Sequence, residues 1–399
     1  MTAERLPPPV TVVGPVAWLR QNLFSSVFSS IATIVLGLVL LLVAVAVGNW
    51  VLTEARWGVI TANLKLFLVG LYPLEEAWRV WLSLTLVSVL AGLTAGAQRG
   101  LVVRTLATWL AAGQVLLAIL ALISALGVVP ALALAANAAL VWVAYFGGLR
   151  RRVSGRLLAV GWPAVAALSF LLLRGVGGPV PEVSTNAWGG LLLTFVLAIA
   201  GILLSFPLGV LLALGRRSEM RGVRVLSTLY IEVVRGVPLV TILFMAAILL
   251  PLFLPGGLRI EQVIRAMVGI TLFSAAYVAE NVRGGLQAIP SGQLEAAHAI
   301  GLNTVQTNLF IVLPQALRSV IPANVGLFIS LLKDTTLVAI AGTGLLELYG
   351  IGQSVLAQAQ WLGTRIEVFV FISAVFFVMC YTMSQASYRL EEAMGVGKR

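Results

Sequence analysis

Charge is scarce in this chain. Of its 399 residues, 26 are Lys or Arg and 15 are Asp or Glu, 10% in all, whereas soluble domains carry about 25%. So few charges cannot cover a water-facing surface, which excludes a soluble cytosolic enzyme. There is one histidine, His298, and one cysteine, Cys380. No disulfide can form within the chain. No His/Cys/Asp cluster suggests a metal, and no pairing of base and nucleophile suggests an enzyme. The lysines are Lys65, Lys333 and Lys398. None sits in a G-x4-G-K-[ST] pattern, so the phosphate-cradling loop of an ATPase is missing. The opening MTAERLPPPVTVVG lacks a basic stretch followed at once by a short apolar one, the mark of a cleaved signal. The first apolar run is therefore expected to stay as an anchor.

What is abundant is apolar: hydrophobic residues make up 60%. That excludes disorder except at the ends and points to an all-α integral membrane protein. A span needs about 20 mostly apolar residues. Charge-free stretches run 21–53, 80–98, 105–149, 157–173, 183–215, 236–258 and 368–388. Gly127 and Pro130 divide the third into a helical hairpin. Weaker candidates are 266–279 and 319–342, the latter interrupted by Lys333 and Asp334. The tally is about ten transmembrane helices. With the N-terminus inside, Lys and Arg on the cytoplasmic side outnumber those on the far side by more than two to one, which places both termini in the cytoplasm. The net charge of +11 has the same origin and does not call for nucleic acid. Gly177, Gly178, Pro179 and Pro181 divide the chain near residue 180. Residues 1–180 read as an N-terminal membrane extension of about five plain spans. Residues 187–390 hold five spans with polar residues and one long cytoplasmic loop. The segment 52–76, with Trp57, Lys65 and Tyr72, reads as interfacial.

That loop reads RGGLQAIPSGQLEAAHAIGLNTVQTNLFIVLPQALR from Arg283 to Arg318. Pro290 ends what precedes it, and Ser291 suits an N-cap. Glu295 is expected in the first turn, where a negative charge suits the dipole. Gly301 is placed as a left-handed cap. Asn303 can cap a second helix, which Pro314 closes. The spacing predicts a short helical hairpin, with Leu294, Ala297, His298 and Gly301 on one side. Loops beyond about 15 residues are usually functional.

Glu295, Ala296, Ala297, Gly301, Ile311, Leu313 and Pro314 fit the pattern EAA-x3-G-x9-I-x-L-P. Over about 187–390 the chain resembles the inner-membrane permease subunits of ABC importers. The stretches AAYVAENVRGGLQAIPSGQLEAA, LPQALRSVIP, KDTTLVAI and IEVVRGVPLV are similar to the polar amino-acid branch. By a weaker likeness, such as WLRQNLFSS at 18–26, the extra N-terminal spans resemble the long M-type subunit of general L-amino-acid importers. The resemblance implies a five-helix permease core at the C-terminal end, whose cytoplasmic coupling hairpin, 284–318, docks a separate ATPase dimer. ATP and magnesium would be held by that partner, with no cofactor on this chain. Glu295 would hold the contact by charge, Ala296 and Ala297 would permit close packing, Gly301 would set the turn, and Leu313 and Pro314 complete the motif. The resemblance further implies a second permease subunit, in a heterodimer given the long extension, and an extracytoplasmic amino-acid-binding protein. The expected surroundings are membrane lipid in a bacterial inner membrane.

Charges inside a bilayer cost about 3 kcal/mol each on insertion scales. Lys333 and Asp334 point about 100° apart on a helix, so each needs another partner. A zwitterionic amino acid offers both charges. A structural network with Glu280, Arg235 or the partner subunit is the equal alternative. Candidate pathway residues are therefore Lys333, Asp334, Thr335, Glu280 and Arg235. Gly326 and Leu327 stand where related chains commonly have Asn and Gln, which shifts substrate contacts toward the partner subunit. Glu232 and Arg235 can pair as i, i+3. An ion-coupled secondary transporter would show paired repeats, and no internal symmetry is visible. An ABC permease for betaine or methionine is the closer alternative.

Overall fold

The computed structural model describes residues 14–151, 153–178, 180–253, 255 and 260–395. The opening stretch, Arg152, Arg259, Lys398 and Arg399, which count among the cations that set the orientation, and Pro179 of the link lie outside the described residues. Among the described residues, nine helices are long and apolar enough to cross a membrane, or ten if one bent pair counts as a span. They follow the expected order. In lipid no water is at hand for the backbone, so each apolar run closes its own hydrogen-bond ladder. The first five are α1 (Val27–Asn49), α2 (Ala77–Gln98), α3 (Leu101–Leu122), α4 (Val128–Arg150) and α5 (Gly155–Arg174). Next come α6 (Gly190–Arg216) and the bent pair α7 (Arg221–Gly236) and α8 (Leu239–Phe253). Then follow α9 (Gln262–Gln287), α10 (Ser291–Ala299), α11 (Leu313–Asp334), α12 (Leu348–Leu356) and α13 (Arg365–Met394).

The chain divides into two compact units, 1–57 and 58–399. In the first, α1 is opened by a reciprocal cap between Ser26 and Ser29 and has no buried residue. In the second, α2–α5 are continuous with the helices that follow. The division near residue 180 is one of sequence character; in space the break falls after Trp57. Helices α2 and α4 meet backbone to backbone at Gly92, Gly96 and Gly148. A Cβ added to Gly148 would sit 2.6 Å from the Leu93 carbonyl oxygen. Lipid gives no hydrophobic drive between helices, so close approach through small residues holds them. Gln114 Nε2 of α3 donates to Ser88 Oγ of α2 at 2.8 Å. Helix α13 reaches α3 where Arg389 donates to Thr105 and Trp109 meets Tyr381 edge-on at 5.8 Å.

The stretch expected to be interfacial also packs inward over 58–72. Val59, Ile60, Leu64, Phe67 and Tyr72 are buried. Phe67 packs edge-on against Phe371 at 5.1 Å, and Tyr72 Oη donates to the Leu173 carbonyl at 2.9 Å. Mixed composition hid the fact that its apolar residues gather on one side. The start of α6 accepts this stretch because Gly190, at φ +57°, has no Cβ to strike the Phe67 carbonyl.

The weaker spans also change. The eighth is a full helix, α9, whose charged residues Arg265, Glu280 and Arg283 fall in its terminal turns. The ninth does not run 319–342. It is one helical rod, Thr304–Asp334, and the chain continues from Thr335 as short helical pieces. Leu193 and Leu197 of α6, Ile270 of α9 and Leu331 of α11 form the buried centre.

Candidate functional site

The hairpin within 284–318 is built from two caps. Pro290, rather than Ser291, is the N-cap of α10, so Glu295 lies beyond the first turn. At the other end Gly301 has φ +84°. Its N–H donates to the His298 carbonyl at 2.9 Å, and the Leu302 N–H donates to the Ala297 carbonyl at 3.1 Å. Those two bonds are the glycine-dependent helix stop. Asn303 then starts the second arm. Its side chain accepts from the Gln306 N–H at 2.9 Å, and Gln306 accepts from the Asn303 N–H at 3.0 Å.

The second arm does not end at Pro314. It passes through a π-helical stretch, Thr307–Val312, and continues as α11. A proline in the first turn of a regular stretch forfeits no obligatory bond, so the ring is tolerated there. Glu295 and Ala296 are exposed. Ala297 is 3% exposed, turned beneath the hairpin. Its carbonyl accepts the Leu302 N–H that closes the helix. Leu313 is half-buried and Pro314 exposed.

The five pathway candidates separate into two groups. Glu280 and Arg235 belong to an arginine-rich cluster. Glu280 accepts Arg283 Nε on both oxygens at 3.0 Å. Arg235 lies 3.5 Å and Arg216 3.6 Å from Glu280 Oε2. Arg235 also covers the Tyr277 ring at 5.6 Å. The expected pairing of Glu232 with Arg235 gives way to Glu232 with Arg216, at 2.9 Å, because α7 presents the two side chains to different neighbours. The cluster joins two copies of one motif, E-x-x-R-G, at Glu232–Gly236 and Glu280–Gly284. That repetition was readable in the sequence and was missed.

Lys333, Asp334 and Thr335 form the other group. Two residues before Lys333, Leu331 meets Gly201 and Ile270: a Cβ on Gly201 would be 2.9 Å from Ile270 and 3.2 Å from Leu331. Gly201 is close to the middle of α6, and Ile270 lies in the first half of α9. The rod therefore stops at mid-depth, with its carbonyl end and both charges there. Lys333 is exposed on the single chain and Asp334 half-exposed. Among the described residues neither has an ion-pair partner within 4 Å. Thr335 is buried, its hydroxyl donating to the Leu332 carbonyl at 2.7 Å. Gly326 is exposed, with nothing within 4 Å of an added Cβ.

Beyond the spans, Glu347 caps α12. It is fully buried and accepts the N–H groups of Tyr349 and Gly350 at 2.8 and 2.9 Å. Burial pushes its carboxyl up to about 7, against the pull of those two donors.

The protein family described as "Binding-protein-dependent transport system inner membrane component" matches residues 205–394. The glutamate/glutamine/aspartate/asparagine transport system permease of Rhodobacter capsulatus is 37% identical over 99% of this chain and 96% of its own length. An inner-membrane amino-acid ABC transporter permease of Escherichia coli is 37% identical over 96% of this chain and 93% of its own. A "probable glutamine ABC transporter permease protein" of Bacillus subtilis is 35% identical over 51% of this chain and 91% of its own length.

Proposed function

The chain belongs to the ABC importer permeases, the multi-span inner-membrane components of binding-protein-dependent transport systems, and we propose that it imports polar L-amino acids as one of two membrane subunits. Permeases of this family are transport components that work with an ATPase and further subunits. The amino-acid reading rests on the end-to-end likeness to relatives named for glutamate, glutamine, aspartate and asparagine. The helix end at Asp334 supports it: an ammonium and a carboxylate on adjacent residues lie at mid-depth, with no ion-pair partner among the described residues, and a zwitterion carries the two complementary charges.

In this reading the outward face of the hairpin, Glu295 and Ala296, docks the ATPase, and Gly301 holds its shape. Leu313 and Pro314 lead the docked arm into the membrane. ATP and magnesium bind on that partner. The termini lie in the cytoplasm, the second permease subunit differs from this one, and a binding protein delivers substrate on the far face. Residues 1–180 are the membrane extension and 187–390 the transport domain. The relative that matches only half of this chain supports a core able to serve without the extension.

The test is uptake into proteoliposomes holding this chain with its co-purifying subunits and binding protein. Expected is ATP-dependent uptake of labelled glutamate, glutamine or aspartate, with betaine and methionine failing to compete. Uptake without ATP, or competition by betaine alone, would overturn the reading.

A further inference from the structure

Helix α7 does not continue the line of α8. It is bent 104° from α8. Ser227 and Glu232, more than a turn apart, both meet the end of α6: a Cβ on Gly215 would strike Ser227, and Glu232 pairs with Arg216. The helix therefore crosses the end of α6 obliquely, at the membrane face that carries the hairpin, with the Tyr230 hydroxyl reaching inward to the Leu272 carbonyl of α9 at 2.6 Å.

It has three sides. Ser227 and Ile231 are buried. Val225, Leu226, Leu229 and Val233 are exposed on a second side. Arg221, Arg224, Glu232 and Arg235 share the third, as the 100° step per residue requires. An apolar side next to a basic one is the pattern of a helix lying in the headgroup plane.

Beside its start is a cavity of about 380 Å³ lined by Arg216, Arg217, Arg283 and Gln287. Six arginines (216, 217, 221, 224, 235 and 283) stand here against Glu219, Glu232 and Glu280. Glu280 is occupied by Arg283 on both oxygens. Arg216 Nη1 and Arg235 Nε, both buried, have no hydrogen-bond acceptor. Six arginines against three glutamates leave positive charge over, and Arg221 and Arg224 are exposed.

We propose that this corner binds an anionic phospholipid, with the headgroup phosphate in the Arg216–Arg217–Arg283 cavity and the acyl chains along the apolar side of α7. The charge selects an anion, and the adjoining apolar stripe selects one with acyl chains over a free anion. This rests on the chain spanning a membrane and is independent of what it transports.

The test uses the full chain, purified in detergent with its co-purifying subunits. Native mass spectrometry follows binding of phosphatidylglycerol and, separately, phosphatidylcholine. Each basic residue at an anionic surface is worth about fivefold. The triple variant Arg217→Gln, Arg221→Gln, Arg224→Gln should lose about 100-fold in phosphatidylglycerol affinity, with phosphatidylcholine binding unchanged. The triple Arg→Lys variant should hold within a few-fold. For the wild type, affinity should fall steeply with salt, and excess inorganic phosphate should not displace the lipid. Equal binding of the two lipids, equal loss in the lysine triple, or full displacement by inorganic phosphate would each overturn the proposal.

Discussion

Replacing Gly301 with alanine isolates the geometry of the coupling hairpin. Nothing lies within 4 Å of a Cβ added there, so the substitution causes no clash. Its whole effect is conformational. An L side chain at φ +84° costs about 1–2 kcal/mol, and it is paid by the two bonds that close α10, Gly301 N–H to His298 and Leu302 N–H to Ala297. One to two kcal/mol is a factor of about 5–30 in the opening equilibrium. Hydrogen exchange by mass spectrometry on the hairpin peptide should report faster exchange at 301 and 302 by about that factor. Gly292→Ala is the matched control. It lies on the same helix, also with nothing within 4 Å but with ordinary helical backbone, and should gain about 0.5–1 kcal/mol. Recovery of the ATPase with the tagged chain should fall for Gly301→Ala and hold for Gly292→Ala. Unchanged exchange in Gly301→Ala, or equal losses in both variants, would refute the reasoning.

Three further outcomes are expected. Gly148→Ala forces α2 and α4 apart by about 0.8 Å to relieve the 2.6 Å approach to Leu93, costing about 1–3 kcal/mol as overpacking does; its neighbour Gly147→Ala, with open space, should leave thermal stability of the purified chain level or raised. Glu347, raised from 4.5 to about 7 by burial, binds more protons folded than unfolded, so stability should fall as pH rises from about 4.5 to 7, by about 3 kcal/mol in all; Glu347→Gln should flatten that slope in melts taken across the window, and an unchanged slope would assign it elsewhere. Lys333→Met should reduce uptake about 10- to 100-fold, the worth of a charged hydrogen bond, while assembly with the partner chains stays intact; parallel loss of assembly would make Lys333 structural.

Span order and most span limits were legible in the sequence, because length and charge-free composition decide what can cross lipid. Gly301 was legible too, since only a left-handed cap explains a glycine there. What failed depended on facing. Ala297 matches a motif position, and its burial, which its identity alone does not reveal, fits a residue chosen for close packing. Pro314 looked like a stop because a π-helical stretch upstream could not be foreseen. Glu280 and Arg235 were grouped with Lys333 by chemistry alone, whereas Glu280, late in α9, draws Arg235, Arg216 and Arg283 around itself. The apolar face of 58–72 was invisible because its partner, the start of α6, lies more than a hundred residues further on.

The continuous helical path from Thr304 to Asp334, with a π-helical stretch near its base and Pro322 inside it, has a mechanical consequence. At 1.5 Å per residue it is about 46 Å long. It joins the hairpin at one end to the Lys333–Asp334 pair at the other with no loop between them. A tilt of about 5° about its cytoplasmic end would carry the charges sideways by about 4 Å, roughly the width of a side chain. To the extent that the helix moves as one piece, a push on the hairpin would displace the charges, and the π-helical stretch and Pro322 are where it would yield first.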